Sequence, residues 1–86
     1  MKLAAFEQKV WEVEGIRIVV RADENDEVKD YGYKRAAPET WSTREFLENR
    51  IESLVGDRKV VVIKGDGQKS YRSVKLHNLR ETYSAK

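Results

Sequence analysis

Residues 41–56, WSTREFLENRIESLVG, decide how the chain is read. Ser42 and Glu45 stand at capping-box spacing, where each side chain can satisfy a backbone N–H left over at a helix start. Trp41 and Phe46 hold the two positions of a hydrophobic staple, and Gly56 follows the last apolar residue, where a left-handed C-cap is wanted. Together these end signals predict a helix over 43–55. At about 100° per residue, Phe46, Leu47, Ile51, Leu54 and Val55 fall on one stripe, so the helix should cover one face of a sheet. Arg50 projects into that stripe. Its stem is expected to pack there while its guanidinium reaches water; the sharper alternative is a buried ion pair or a partner contact.

Upstream, residues 6–22 read as a hairpin turning at Glu14-Gly15, with glycine supplying a positive φ. That register puts Val13 opposite Ile16, Trp11 opposite Ile18 and Lys9 opposite Val20. Trp11, Val13, Ile16, Ile18 and Val20 then share the core face. Residues 23–27 (DENDE) form an acidic loop, and a third strand is expected over 28–36, carrying Tyr31 and Tyr33 and closed by Pro38. Downstream, residues 59–64 (KVVVIK) hold four consecutive β-branched side chains, which suggests a strand covered on both faces. A turn at 65–67 leads to a fifth strand over 68–76, and 77–86 forms a last helical turn through Leu79 and Tyr83, or a tail. The expected architecture is α+β: an antiparallel sheet in β-β-β-α-β-β order with one helix packed on one face.

Eighty-six residues allow one small domain, 1–86. With no cysteine, disulfides, iron–sulfur clusters and thiolate zinc sites are excluded. No apolar run approaches the length of a membrane span, and charge interrupts MKLAAFEQK before a signal core develops. A cytoplasmic protein with no membrane partner is expected. Charge is uneven along the chain. Residues 1–56 carry nine Lys/Arg against twelve Asp/Glu, a balance of −3, whereas residues 57–86 carry eight against three, a balance of +5.

Motifs that could carry chemistry fail on spacing. Residues 65–70 (GDGQKS) follow a β-branched run as a phosphate loop would, but glycines are missing where Ile63 and Gln68 stand. Asp23, Asn25 and Glu27 open like a calcium loop, yet Val28 and Lys34 occupy the positions needing glycine and glutamate. His77 is the sole histidine and has no clear acidic partner nearby in sequence. No catalytic, metal or cofactor site is therefore expected. The chain reads as a non-catalytic binding or assembly domain, homo-oligomeric (a homodimer at simplest) through Val19, Val60, Val61, Val62 and Ile63. The reason is that the valine-rich strand asks for more cover than one helix gives. The alternative is a nucleic-acid-binding accessory protein using Lys64, Lys69, Tyr71, Arg72, Lys75, His77 and Arg80, where cations would neutralise phosphates and tyrosine would stack.

Overall fold

Leu3, Phe6, Val10 and Glu14 recur every three or four residues, and the chain through them is a helix, not the first strand of a hairpin. In the computed structural model, which describes residues 1–84, this helix α1 spans Leu3–Glu14 and buries that row, leaving Trp11 and Val13 half-buried. Gly15 does adopt a positive φ, 66°, but as the left-handed cap of α1, its N–H donating to the Trp11 carbonyl at 2.9 Å. Strand β1, Arg17–Arg21, follows with Ile18 and Val20 inward and Arg17, Val19 and Arg21 outward.

Helix α2 occupies residues 43–55. Its capping box forms: the Ser42 hydroxyl accepts from the Glu45 N–H at 3.1 Å, and the Glu45 carboxylate accepts from the Ser42 N–H at 2.9 Å. The middle of α2, Leu47–Ile51, widens into a π-helical turn around Arg50, a local expansion that admits one extra residue. Gly56 has φ 66° but ψ −138°, so it leaves the helix by another route than the left-handed cap expected. The Arg58 guanidinium supplements that end by donating to the Val55 carbonyl at 3.0 Å. Strand β2, Lys59–Ile63, pairs antiparallel with β1, from Arg17 opposite Ile63 to Arg21 opposite Lys59.

Among the described residues the sheet therefore has two strands rather than five, and helix α3, Leu76–Ser84, brings the helices to three. The α+β class holds; the five-strand order does not. Residues 28–36 form no ladder, because their backbone is drawn elsewhere. The Val28 N–H donates to the Met1 carbonyl and the Lys29 N–H to the Leu54 carbonyl, while Tyr31 drops into the core. Residues 68–76 make a single bridge to β2, Lys69 with Ile63, and another at Lys75, which pairs with Ser42 at the start of α2 instead of with the sheet. The first turn of α2 claims them: Thr43 N–H and hydroxyl both donate to the Val74 carbonyl, at 2.7 and 2.8 Å, and Arg44 N–H donates to the Arg72 carbonyl at 3.0 Å. Of the two readings of 77–86, the helical one holds, since α3 runs through Leu79 and Tyr83; residues 85 and 86 lie outside the described residues.

One core joins these pieces, with Phe6 and Val10 of α1, Ile18 and Val20 of β1, Phe46 and Ile51 of α2, Val62 of β2, and Leu76 and Leu79 of α3. Among the described residues, no helix is long and apolar enough to cross a membrane. Helix α3 is held against the sheet end by Tyr83, whose hydroxyl accepts from the Arg17 N–H at 3.1 Å and donates to the Ile63 carbonyl. The turn after β2 also approaches α3 closely. A Cβ built on Gly65 would stand 1.8 Å from the Thr82 carbonyl oxygen, whereas one on Gly32 would meet nothing within 4 Å. Gly65→Ala should therefore destabilise by about 1–3 kcal/mol in urea melts through overpacking. Gly32→Ala is the control and should be neutral or slightly stabilising.

Candidate functional site

Helix α1 ends in a carboxylate that water does not reach. The Glu14 side chain is 0% exposed, carried inward because its position continues the Leu3–Phe6–Val10 row. Its Oε1 accepts from the Ala37 N–H at 2.7 Å and from Arg80 Nη2 at 3.0 Å. Oε2 accepts from Arg50 Nη1 at 2.6 Å and from the Tyr31 hydroxyl. Arg50, 14% exposed, also donates to the Arg35 carbonyl at 2.7 Å, and its guanidinium lies 4.3 Å from the Tyr33 ring centre and 5.7 Å from that of Trp41. Arg80 adds bonds from Nε to the Glu14 carbonyl at 2.8 Å and from Nη1 to the Ala37 carbonyl at 3.1 Å. Arg50 thus does not send its charge to water, as its place in the stripe had suggested. Its stem and head are both held inside.

The protonation states follow from this enclosure. Burial pushes the Tyr31 phenol up, and the hydrogen bond to Glu14 pushes it further, so it stays a donor. Burial works against the charge on Arg50, but bonding to Glu14 and Tyr31 outweighs it and the guanidinium pKa lies above its ordinary value. Each carboxylate oxygen of Glu14 already serves two donors. Among the described residues no buried side-chain nitrogen or oxygen lacks a partner. Glu14 is therefore positioned as a lock between four segments, not as an acid or base facing a cleft.

The expected basic surface divides. Arg80 is inside, bound to Glu14, and only 17% exposed. Lys64 pairs with Asp66 at 3.8 Å. Lys75 and His77 line a separate cleft with Glu39, Thr40 and Asn78, and His77 sits 3.9 Å from Glu39 and 3.3 Å from Glu81. Lys69, Tyr71 and Arg72 stay together. They form one wall of a groove of about 590 Å³ whose other sides are the start of α2 (Thr43, Leu47), Glu52, the turn through Asp57 and Arg58, and the β2 edge at Lys59 and Val60. Tyr71 is 77% exposed on that wall. Of the expected interface, Val61 and Val62 are buried within this one chain, Val60 and Ile63 are half-buried, and Val19 is the exposed member. Val62 joins the core with the helices, so part of the cover that β2 asked for comes from within the chain.

The edge of β2 is open where it borders the groove. The Val20 N–H points away from β2, donating to the Glu7 carboxylate at 2.8 Å, and the Val62 carbonyl points away from β1, accepting from the Ser70 N–H at 2.8 Å. By alternation along the ladder, Val60 must also turn its N–H and carbonyl away from β1, toward the groove. The bridge at Lys69 does not extend that far, so both groups face open space. Sequence reading found Lys69, Tyr71 and Arg72 as a basic and aromatic run. It missed Glu14, whose only signal was its place four residues after Val10. Comparison of the chain with protein-family models, curated proteins and solved structures returns no match.

Removing one partner from the Glu14 lock leaves buried charge uncompensated. Arg50→Leu, which would stabilise a chain whose arginine merely reached water, should instead cost about 3–5 kcal/mol in chemical denaturation. The alkaline limb gives an independent check. Folded Tyr31 keeps a proton that the unfolded chain releases near its ordinary value of 10.0. Its contribution is fully present below about pH 10 and is lost as pH rises further. Melting temperature should fall above that pH, and the fall should be shallower in Tyr31→Phe.

Proposed function

We propose that the protein is a small non-catalytic binding domain whose working surface is the groove between β2 and α2. The observation that carries this reading is the open edge at Val60. Natural sheets shield their edges, since unpaired strand backbone recruits other chains. Here the outer side of β1 is met by Glu7 and the far half of β2 by residues 68–70, while the near half of β2 is left bare inside a concavity. Cations gather at the same place, with Lys59, Lys69 and Arg72, and Arg58 beside Asp26 at 3.8 Å, against Glu52 and Asp57. An anionic partner is favoured by that balance.

Nucleic acid is the second reading, supported by Tyr71 standing exposed between Lys69 and Arg72 as a stacking platform would. Self-association is a third mode of binding. It now rests on Val19 and the bare edge alone, because Val61 and Val62 are covered within the chain.

Amide shift mapping by NMR tests the location. Short polyglutamate and single-stranded oligothymidylate, added separately, should move amides of residues 57–62 and 69–72 with at least one of the two. Shifts confined to the Lys75–His77 cleft, or none with either anion, would overturn the groove as working surface. If oligothymidylate is the binder, its affinity must drop steeply with added salt. Light scattering at two protein concentrations should give a monomer; a concentration-dependent dimer would replace the foreign partner with a second copy.

A further inference from the structure

Resting on the groove as the binding surface, we infer that its occupant is an extended acidic peptide segment that joins β2 as an added strand. Val60 presents an N–H and a carbonyl side by side, and an extended peptide backbone supplies a matching acceptor and a matching donor at the strand repeat. A phosphate chain offers acceptors alone and would leave the carbonyl facing negative charge. The edge already accepts such pairing one step further along. There the Ser70 N–H donates to the Val62 carbonyl at 2.8 Å and the Lys64 N–H to the Gln68 carbonyl at 2.7 Å. That line of pairing stops because residues 72–74 are turned aside to bond the first turn of α2. A guest strand takes up the line where residues 68–70 leave it.

Alternation along a strand sets the composition of the guest. Val60 shares its face with Val20 and the core, so guest side chains on that side lie over Leu47 and Thr43 and should be apolar and small. Side chains on the opposite side, the face of Lys59, meet the cationic wall of Lys69 and Arg72 and should be acidic. Charge also separates this partner from two others. A second copy would bring the same four cations to the same groove. A polynucleotide would carry negative charge along its whole length past Glu52 and Asp57.

A short peptide of alternating glutamate and valine is the probe. Hydrogen exchange at the Val60 amide should slow by about tenfold or more when it binds. N-methylation of the guest amides that face the edge should abolish binding, whereas N-methylation of the alternate amides should leave it intact. Lys69→Glu with Arg72→Glu, both on the exposed wall, should weaken the peptide by about tenfold or more and transfer preference to an alternating lysine–valine peptide. Binding in the groove that survives methylation of the edge-facing amides would overturn strand addition while leaving the groove standing. Oligothymidylate bound in the groove with the acidic peptide excluded would overturn the peptide class. Failure of both probes to touch the groove would remove the binding surface itself.

Discussion

The buried carboxylate of Glu14 is the constraint that organises this domain. A lone ionised carboxylate in a dry interior costs several kcal/mol, so the chain can place one there only by surrounding it with donors. Those donors come from three other segments: Tyr31 and Ala37 from the irregular stretch, Arg50 from α2, and Arg80 from α3. A sheet of two strands is too small to align three helices by itself. Convergence on one side chain supplies the missing registry, and it explains how residues 28–36 stay ordered without a ladder. The Phe6 and Tyr31 rings meet edge-on at 5.6 Å, so the apolar and polar parts of that arrangement reinforce each other.

Position of α2 then determines the groove. Arg50 fixes the helix at its middle, and the backbone of Thr43 and Arg44 fixes its start by taking the carbonyls of Val74 and Arg72. These are the residues that would otherwise have continued the strand beside β2. The same capture that caps α2 thus withdraws a third strand from the sheet and leaves Val60 bare. An open edge in so small a protein is hazardous in general. Here it lies recessed between a helix and a cationic wall, which limits the partners able to reach it.

How far the sequence could be read depended on whether a signal was local. The capping residues Ser42 and Glu45 act within four positions of each other, and the helix over 43–55 was accordingly legible. The β-branched run of β2 was legible for the same reason. Helix α1 was not, because its apolar row ends in a glutamate, and because Gly15 with Trp11 and Val13 equally fits a hairpin of period two. What distinguishes the two readings is the set of donors around Glu14, and these come from 17 to 66 residues away along the chain. Residues 28–36 and 68–76 alternate well enough to pass as strands. They lost that role to hydrogen bonds with helix ends that no local pattern announces. At the groove, Lys69, Tyr71 and Arg72 could be recognised by composition, whereas the openness of Val60 is a property of register and appears only once β1 and β2 are paired.

The fate of Arg80 shows why charge counted along a chain is a poor guide to charge offered to a partner. It belongs to the basic final third, yet its guanidinium is taken up by Glu14, and Lys64 and His77 likewise sit beside carboxylates. What remains at the groove is a compact set of cations flanking a strip of unpaired backbone. A phosphate polymer reads diffuse positive charge over many residues and gains by releasing counterions along its length. A short cationic wall beside one donor and one acceptor instead rewards a ligand that is acidic at intervals and peptide throughout. In the proposed strand addition, recognition depends on spacing more than on net charge, and the spacing is set by the strand repeat of β2 itself.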